Sequence, residues 1–462
     1  MVKQRLIKNL FLTLIIIFGL LNRWFGINNG YWYDEWSSFY FSNPNFNINE
    51  IYRMVLSGEG VQPLYFIITS KWNYLFGYYP EVLRYFSFII GSLSIFLFLI
   101  LLKEFSKNNY FIYFAIFLFN SNYFLIQYSQ ESRHYSLSLF FSLLNLIFFF
   151  RFLKKKKYFF FYVLSSLLSI STNIFFILIV FSQLIFLLSK KNKNIIYYIC
   201  IIIILILSTA ANYQYVNSVL ENTSAFSIQK TINFNFLIGF YFNIYFGSIF
   251  LGGLTLVIIL LSLKNIKKII YNNFLFCIIS IVITYSLPVI YSLLKDPILR
   301  PRYIIFIIPI IILYFAYTVT QIDKKFIKTS IVTFFVLLSI VLLFYSRPII
   351  YKPDTTTALN IIAQSGTKSI YVEKIGEKDY FYNYLINLYL AKKLQIVYIN
   401  KDKIKNEKFF WTICLNNPRF GNNSKIDNQN CFLNPYHKSH KISKLERVPD
   451  YILVLFEKKT FE

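Results

Sequence analysis

The sequence predicts a polytopic α-helical membrane protein with a small polar α/β domain at its C-terminal end. Three observations carry this. Of 462 residues, 56% are hydrophobic and only 15% charged, whereas a soluble domain carries about 25% charged residues. Apolar runs of bilayer-spanning or nearly spanning length recur up to about residue 346. Lys and Arg collect in alternate connections between those runs, which is the positive-inside pattern.

We read about eleven transmembrane segments, near 9–26, 84–102, 110–126, 136–153, 158–172, 174–189, 195–211, 237–263, 270–294, 303–320 and 329–346. The first has the outline of a signal peptide, but no small-residue cleavage site follows it, so it reads as a retained helix. The third contains Asn120-Ser121-Asn122, which is expected to break the helix and open a path for lipid. The fifth and sixth are parted only by Ser171-Thr172-Asn173 and fit either two short spans or one hairpin.

Placing the N-terminus in the cytoplasm puts 19 of the 28 Lys and Arg before residue 347 on the inner side. They lie in short runs such as Lys154 to Lys157 and Lys324, Lys325 and Lys328. The acids show the reverse. Glu104 and Asp323 fall inside, while Asp34, Glu35, Glu50, Glu59, Glu81, Glu131, Glu221 and Asp296 fall outside. The net charge of +26 is therefore topological and does not indicate a nucleic-acid partner.

The expected division is a membrane domain, 1–346, and an extracytoplasmic α/β domain, 347–462. The first outer loop, 27–83, is long and rich in Trp and Tyr, which suits short helices lying in the interface. Beyond residue 347, β-like runs appear at 369–372, 395–399, 409–413 and 451–456, with helical periodicity at 356–364 and 380–392. Cys200 and Cys277 lie in apolar runs. Cys414 and Cys431 are placed to form a disulfide if their domain is extracytoplasmic. With only His134, His437 and His440 and no Cys-x-x-Cys, no metal-ligand pattern is present.

The stretch Tyr31 to Ser38 holds Asp34 and Glu35 among aromatic rings just past the first span. Carboxylates at the edge of hydrocarbon are costly, because desolvation disfavours their charged form. Alone, the pair reads equally as a hydrated acidic loop. Further outer-face residues follow in order: Gln62-Pro63-Leu64-Tyr65, Leu83-Arg84, Gly91, then Ser129-Gln130-Glu131-Ser132-Arg133-His134-Tyr135, and last Arg300-Pro301-Arg302-Tyr303. This series resembles the GT-C class of bacterial membrane glycosyltransferases, relatives of protein O-mannosyltransferases and of the lipid A aminoarabinose transferase. One departure is Gln62, a neutral amide where many relatives carry His or Lys before Pro-Leu-Tyr.

The resemblance implies transfer of a sugar from a polyprenyl-phosphate donor to an unidentified acceptor at the outer face of the cytoplasmic membrane. It names neither sugar nor acceptor, and it leaves open whether a divalent metal takes part. The residue types suit that chemistry. Breaking the bond from anomeric carbon to phosphate loads charge onto the phosphate, and fixed cations stabilise it. The planar fork of Arg suits phosphate oxygens, which makes Arg133, Arg300 and Arg302 candidates, with Glu131 beside them. The plainer readings are headgroup anchoring for Arg300 and Arg302 and a Glu131–Arg133 salt bridge. The attacking group must lose a proton, for which Asp34 is the candidate base, with Glu35 orienting the loop or pairing with an arginine. Gln62, Tyr65 and Tyr135 are candidate ligands for sugar or phosphate oxygens. His134 reads as a satisfied polar group or as a second base. The competing functions are a flippase or transporter of lipid-linked sugars and a surface-polysaccharide polymerase or ligase. A transporter is expected to carry charge near the membrane midplane, where this chain has almost none.

Overall fold

The structure, a computed structural model, describes residues 2–28, 30–58, 61–190, 195–221, 248–265, 273–294, 300–346, 355–365, 369–372, 395–398, 407–415, 439–448 and 451–459. The chain divides into two compact units, Met1–Ile27 with Pro44–Arg347, and Asn28–Asn43 with Pro348–Glu462.

In chain order the described helices are α1 (Val2–Trp24), α2 (Tyr33–Phe41), α3 (Ile48–Gly58), α4 (Leu64–Phe76), α5 (Pro80–Phe105), α6 (Asn109–Ser121), α7 (Tyr123–Ser129), α8 (Tyr135–Lys154) and α9 (Phe159–Thr172). There follow α10 (Ile177–Ser189), α11 (Ile195–Ala211), α12 (Tyr213–Glu221), α13 (Ile249–Ser262), α14 (Phe274–Leu294), α15 (Ile307–Thr320), α16 (Lys325–Ser346) and α17 (Thr355–Gln364). Among the described residues, α5, α8, α14 and the Lys325–Phe344 part of α16 are long and apolar enough to cross a membrane. The shorter apolar helices are Asn9–Trp24, Ile174–Ser189, Ile195–Ala211, Phe250–Ser262 and Ile307–Thr320.

The third predicted span is two helices. α6 and α7 meet at an angle of 56°, with Asn122 extended between them and its side chain accepting from the Leu125 N–H at 3.0 Å. That bond satisfies one of the donors a helix start leaves open, so the Asn-rich corner ends one helix and starts the next. The ambiguous fifth and sixth segments are two helices, α9 and α10, joined through a 3-10 turn at Ile174–Phe176. Residues 237–247 of the eighth segment, the expected helix at 380–392 and Cys431 lie outside the described residues.

Aromatic rings fill much of the first unit, as in the stacks of Phe98 on Phe119 at 4.4 Å and Phe274 on Tyr317 at 3.7 Å. Polar side chains inside it find one another. Asn145 of α8 donates to Ser166 Oγ of α9, Tyr162 of α9 donates to Gln183 Oε1 of α10, and Gln183 returns a bond to Asn145 Oδ1, each at 2.7 Å. With all four side chains fully buried, such a ring of bonds fixes how the three helices are registered. At the other end of α8, Arg151 and Lys154 bridge to Glu104 at 2.8 and 2.6 Å, tying it to the last turn of α5.

The second unit holds a five-stranded sheet of β1 (Ser369–Val372), β2 (Gln395–Tyr398), β3 (Phe409–Leu415), β4 (His440–Val448) and β5 (Tyr451–Lys458), in the order β2-β1-β3-β5-β4. β1 runs parallel to β2 and β3, while β5 is antiparallel to β3 and β4. Trp411 donates to Ser365 Oγ at 2.8 Å, joining β3 to the end of α17. The sequence reading did not foresee β4. It is an edge strand studded with Lys441, Lys444 and Arg447, the charges by which edges avoid further pairing, and they mask its alternation.

Candidate active site

Several of the residues that the sequence assigns to the outer face meet around the turn between α7 and α8. The turn is built by its own polar groups. The Arg133 N–H donates to the Glu131 carbonyl at 2.8 Å, and Gln127 Nε2 donates to Glu131 Oε1 at 3.0 Å. Ser136 Oγ donates back to the Tyr128 carbonyl at 2.8 Å, closing the turn onto the first residues of α8. Gln130 points the other way, donating from Nε2 to the carbonyls of Asn22 at 3.0 Å, Arg23 at 3.1 Å and also Phe25, and so caps the end of α1. Gly91 of α5 lets this turn close, since a Cβ there would stand 2.5 Å from Ser129 Cβ.

Glu131, Arg133, His134 and Tyr135 are all buried. The His134 ring lies 4.1 Å from Tyr135 and 6.4 Å from Tyr65, and Tyr135 lies 4.5 Å from Tyr128. The 3-10 turn Pro301–Ile304 brings Arg302 to the same place, its guanidinium carbon 5.9 Å from the Tyr135 ring centroid. Arg300 lies 6.0 Å from the Tyr303 ring of the same turn. Burial first, and then the charges of Arg133 and Arg302, hold the His134 imidazole well below its ordinary pKa. His134 is therefore neutral near pH 7, and its Nδ1 is buried with no hydrogen-bond partner among the described residues.

Of the expected substrate residues, the structure brings together Tyr65, Glu131, Arg133, Tyr135 and Arg302. Gln62 differs. Its Nε2 donates both protons to protein groups, the Ile170 carbonyl and Asn212 Oδ1, the latter at 2.9 Å. These bonds tie the start of α4 to the ends of α9 and α11. Asp34 and Glu35 belong to the second unit, in the first turn of α2. Carboxylates there match the positive end of the helix dipole. Glu35 is 1% exposed, and Asp34 is partly exposed with its carbonyl accepting from Ser38 Oγ at 3.0 Å. Among the described residues no group of three or more His, Cys, Asp or Glu side chains comes together as metal ligands would.

The sequence reading missed Asn173. It was visible only as the last residue of a polar corner, yet its Nδ2 donates at 2.7 Å to the carbonyl of Tyr303, next to Arg302.

No family model and no curated protein matches the chain. Solved structures do. ArnT from Cupriavidus metallidurans bound to undecaprenyl phosphate aligns with a TM-score of 0.51 at 12% identity, over 96% of this chain and 97% of that one. The same protein in the apo state aligns with a TM-score of 0.56 at 11% identity over the same shares. At such identity the likeness speaks for the fold, and it extends over nearly the whole of both chains. The chain therefore has the fold of ArnT.

Proposed function

We propose that this protein is a GT-C glycosyltransferase that moves a sugar from a polyprenyl-phosphate donor to a protein, lipid or glycan acceptor at the outer face of the cytoplasmic membrane. The observation that carries the reading is the meeting of Arg133 and Arg302 around His134 and Tyr135, on two separate turns of an ArnT-like fold. The solved ArnT relative bound undecaprenyl phosphate. A phosphate is the kind of ligand that two guanidinium groups recognise, here the buried Arg133 and the partly exposed Arg302.

In this reading the donor phosphate sits between Arg133 and Arg302. As the bond from anomeric carbon to phosphate oxygen breaks, charge builds on the phosphate, and the two cations stabilise it more than they stabilised the bound donor. The acceptor oxygen or nitrogen forms the new bond to the anomeric carbon and gives its proton to the Asp34 carboxylate. The products are the glycosylated acceptor and free polyprenyl phosphate. Glu35, fully buried and next to Asp34 in sequence, steadies the first turn of α2. Tyr65 and Tyr135 line the sugar or phosphate, and Glu131 orients the arginines.

The test is reconstitution of the purified protein in liposomes with an undecaprenyl-phosphate sugar and an envelope extract of the parent cells as acceptor. Arg133→Ala and Arg302→Ala are each expected to lower release of undecaprenyl phosphate by about 10²–10³. The corresponding Lys variants keep part of the rate, because they keep charge but lose the fork. Wild-type turnover in both Ala variants would remove the clamp. Movement of intact lipid-linked sugar across the bilayer without transfer would make the protein a flippase.

A further inference from the structure

We propose that Asn173, at the corner between α9 and α10, is a positioning residue that sets the place of Arg302. This rests on the reading of Arg302 as a phosphate contact. Arg302 stands on a single 3-10 turn, and Arg300 at its start makes no side-chain cap bond. A 3-10 turn this short has poorer hydrogen-bond geometry than an α-helix, so contacts from neighbouring elements help to fix its place. The α9–α10 corner supplies them at three points. Asn173 Nδ2 donates to the Tyr303 carbonyl at 2.7 Å. The Phe175 ring stacks on the Tyr303 ring at 5.4 Å with planes 24° apart. Phe176 meets Phe306 edge-on at 5.3 Å.

The chemistry of Asn suits the position. Its Oδ1 accepts from the Phe175 N–H at 3.1 Å, which locks the side chain onto its own turn. Its Nδ2 is then aimed outward at Tyr303, and the two partners fix which end of the amide is which, since a carbonyl only accepts and an N–H only donates. Asn173 is 5% exposed, so water does not readily replace the bond. The corner is itself braced, because Gln62 donates to the carbonyl of Ile170 three residues earlier. On the other side Arg302 reaches Tyr135, whose ring lies against His134. A chain of direct contacts thus runs from Asn173 through Tyr303 to Arg302 and the proposed phosphate site.

The experiment is a double-mutant cycle read as affinity for undecaprenyl phosphate in detergent, with the melting temperature of each variant beside it. Arg302→Ala, Asn173→Ala and the double variant are compared with wild type. We expect Asn173→Ala to weaken binding by about three- to tenfold, the scale of one buried hydrogen bond, and Arg302→Ala to weaken it more. The double variant is expected to bind like Arg302→Ala alone, because the effect of Asn173 passes through Arg302. Phe175→Leu removes the stack, keeps the Asn173 bond, and is expected to behave the same way, so the proposal is testable even if Asn173→Ala does not fold. Losses that multiply in the double variants would show that the corner acts independently of Arg302 and would overturn the inference, as would unchanged binding in both corner variants. Wild-type binding by Arg302→Ala would instead overturn the phosphate reading beneath it.

Discussion

His134 is a buried histidine close to two arginines. His134 is held well below its ordinary pKa by burial first and by Arg133 and Arg302 after that. The free imidazole titrates near 6.5. As pH falls through that value, the unfolded chain takes up the proton while the folded one does not, so folding weakens. The stabilisation is fully present above about pH 6.5 and is lost at up to ~1.4 kcal/mol per pH unit below it. We expect the wild-type protein in detergent to lose more melting temperature between pH 7.5 and 5.5 than His134→Gln does. Equal losses would mean that the imidazole already carries its proton when folded. Arg133, His134 and Arg302 are individually legible in the sequence, because charge at the edge of hydrocarbon is rare and invites a reason. Their grouping is not, since Arg302 lies 169 residues after Arg133 along the chain and only the packed helices bring the two turns together. Asn173 is less legible still. An Asn between two apolar runs is what any interfacial turn would use, and its bond to Tyr303 has no trace in spacing or periodicity.

At the scale of elements, the apolar runs and the charges between them locate helices well, and polar residues inside the runs decide how they bend and pair. Asn122 divides what hydropathy reads as one span into α6 and α7. Asn145, Tyr162 and Gln183 register α8, α9 and α10, a role that an apolar average hides. The approach of α5 to the end of α7 depends on Gly91 having no side chain. Gly91→Val drives a side chain into Ser129 and is expected to cost about 1–3 kcal/mol, as overpacking does. Ser129→Gly in the same protein should restore part of the loss, because it removes the Cβ that the new side chain meets. A Gly91→Val protein that melts like wild type would show that the two helices have room to separate. Because the α7–α8 turn carries Arg133, the same variant is expected to lower turnover more than melting temperature alone accounts for.

At the scale of the whole molecule, we propose that the basic connections face the cytoplasm and that the sheet-containing unit lies outside. With Cys414 and Cys431 replaced and Cys200 and Cys277 buried, a cysteine at Lys441 should react with an impermeant thiol reagent in intact cells, and one at Lys156 only after permeabilisation. The opposite pattern would invert the topology. The central claim is sugar transfer, and its most direct measurement is the Asp34→Asn variant in the reconstituted liposome assay, with undecaprenyl phosphate binding measured on the same preparation. Asn keeps the shape of the side chain and removes the proton acceptor. Our account expects unchanged binding and a fall in transfer of roughly the 10²–10⁴ that loss of a general base brings, with Glu35→Gln losing less. Transfer at the wild-type rate by Asp34→Asn would contradict the account.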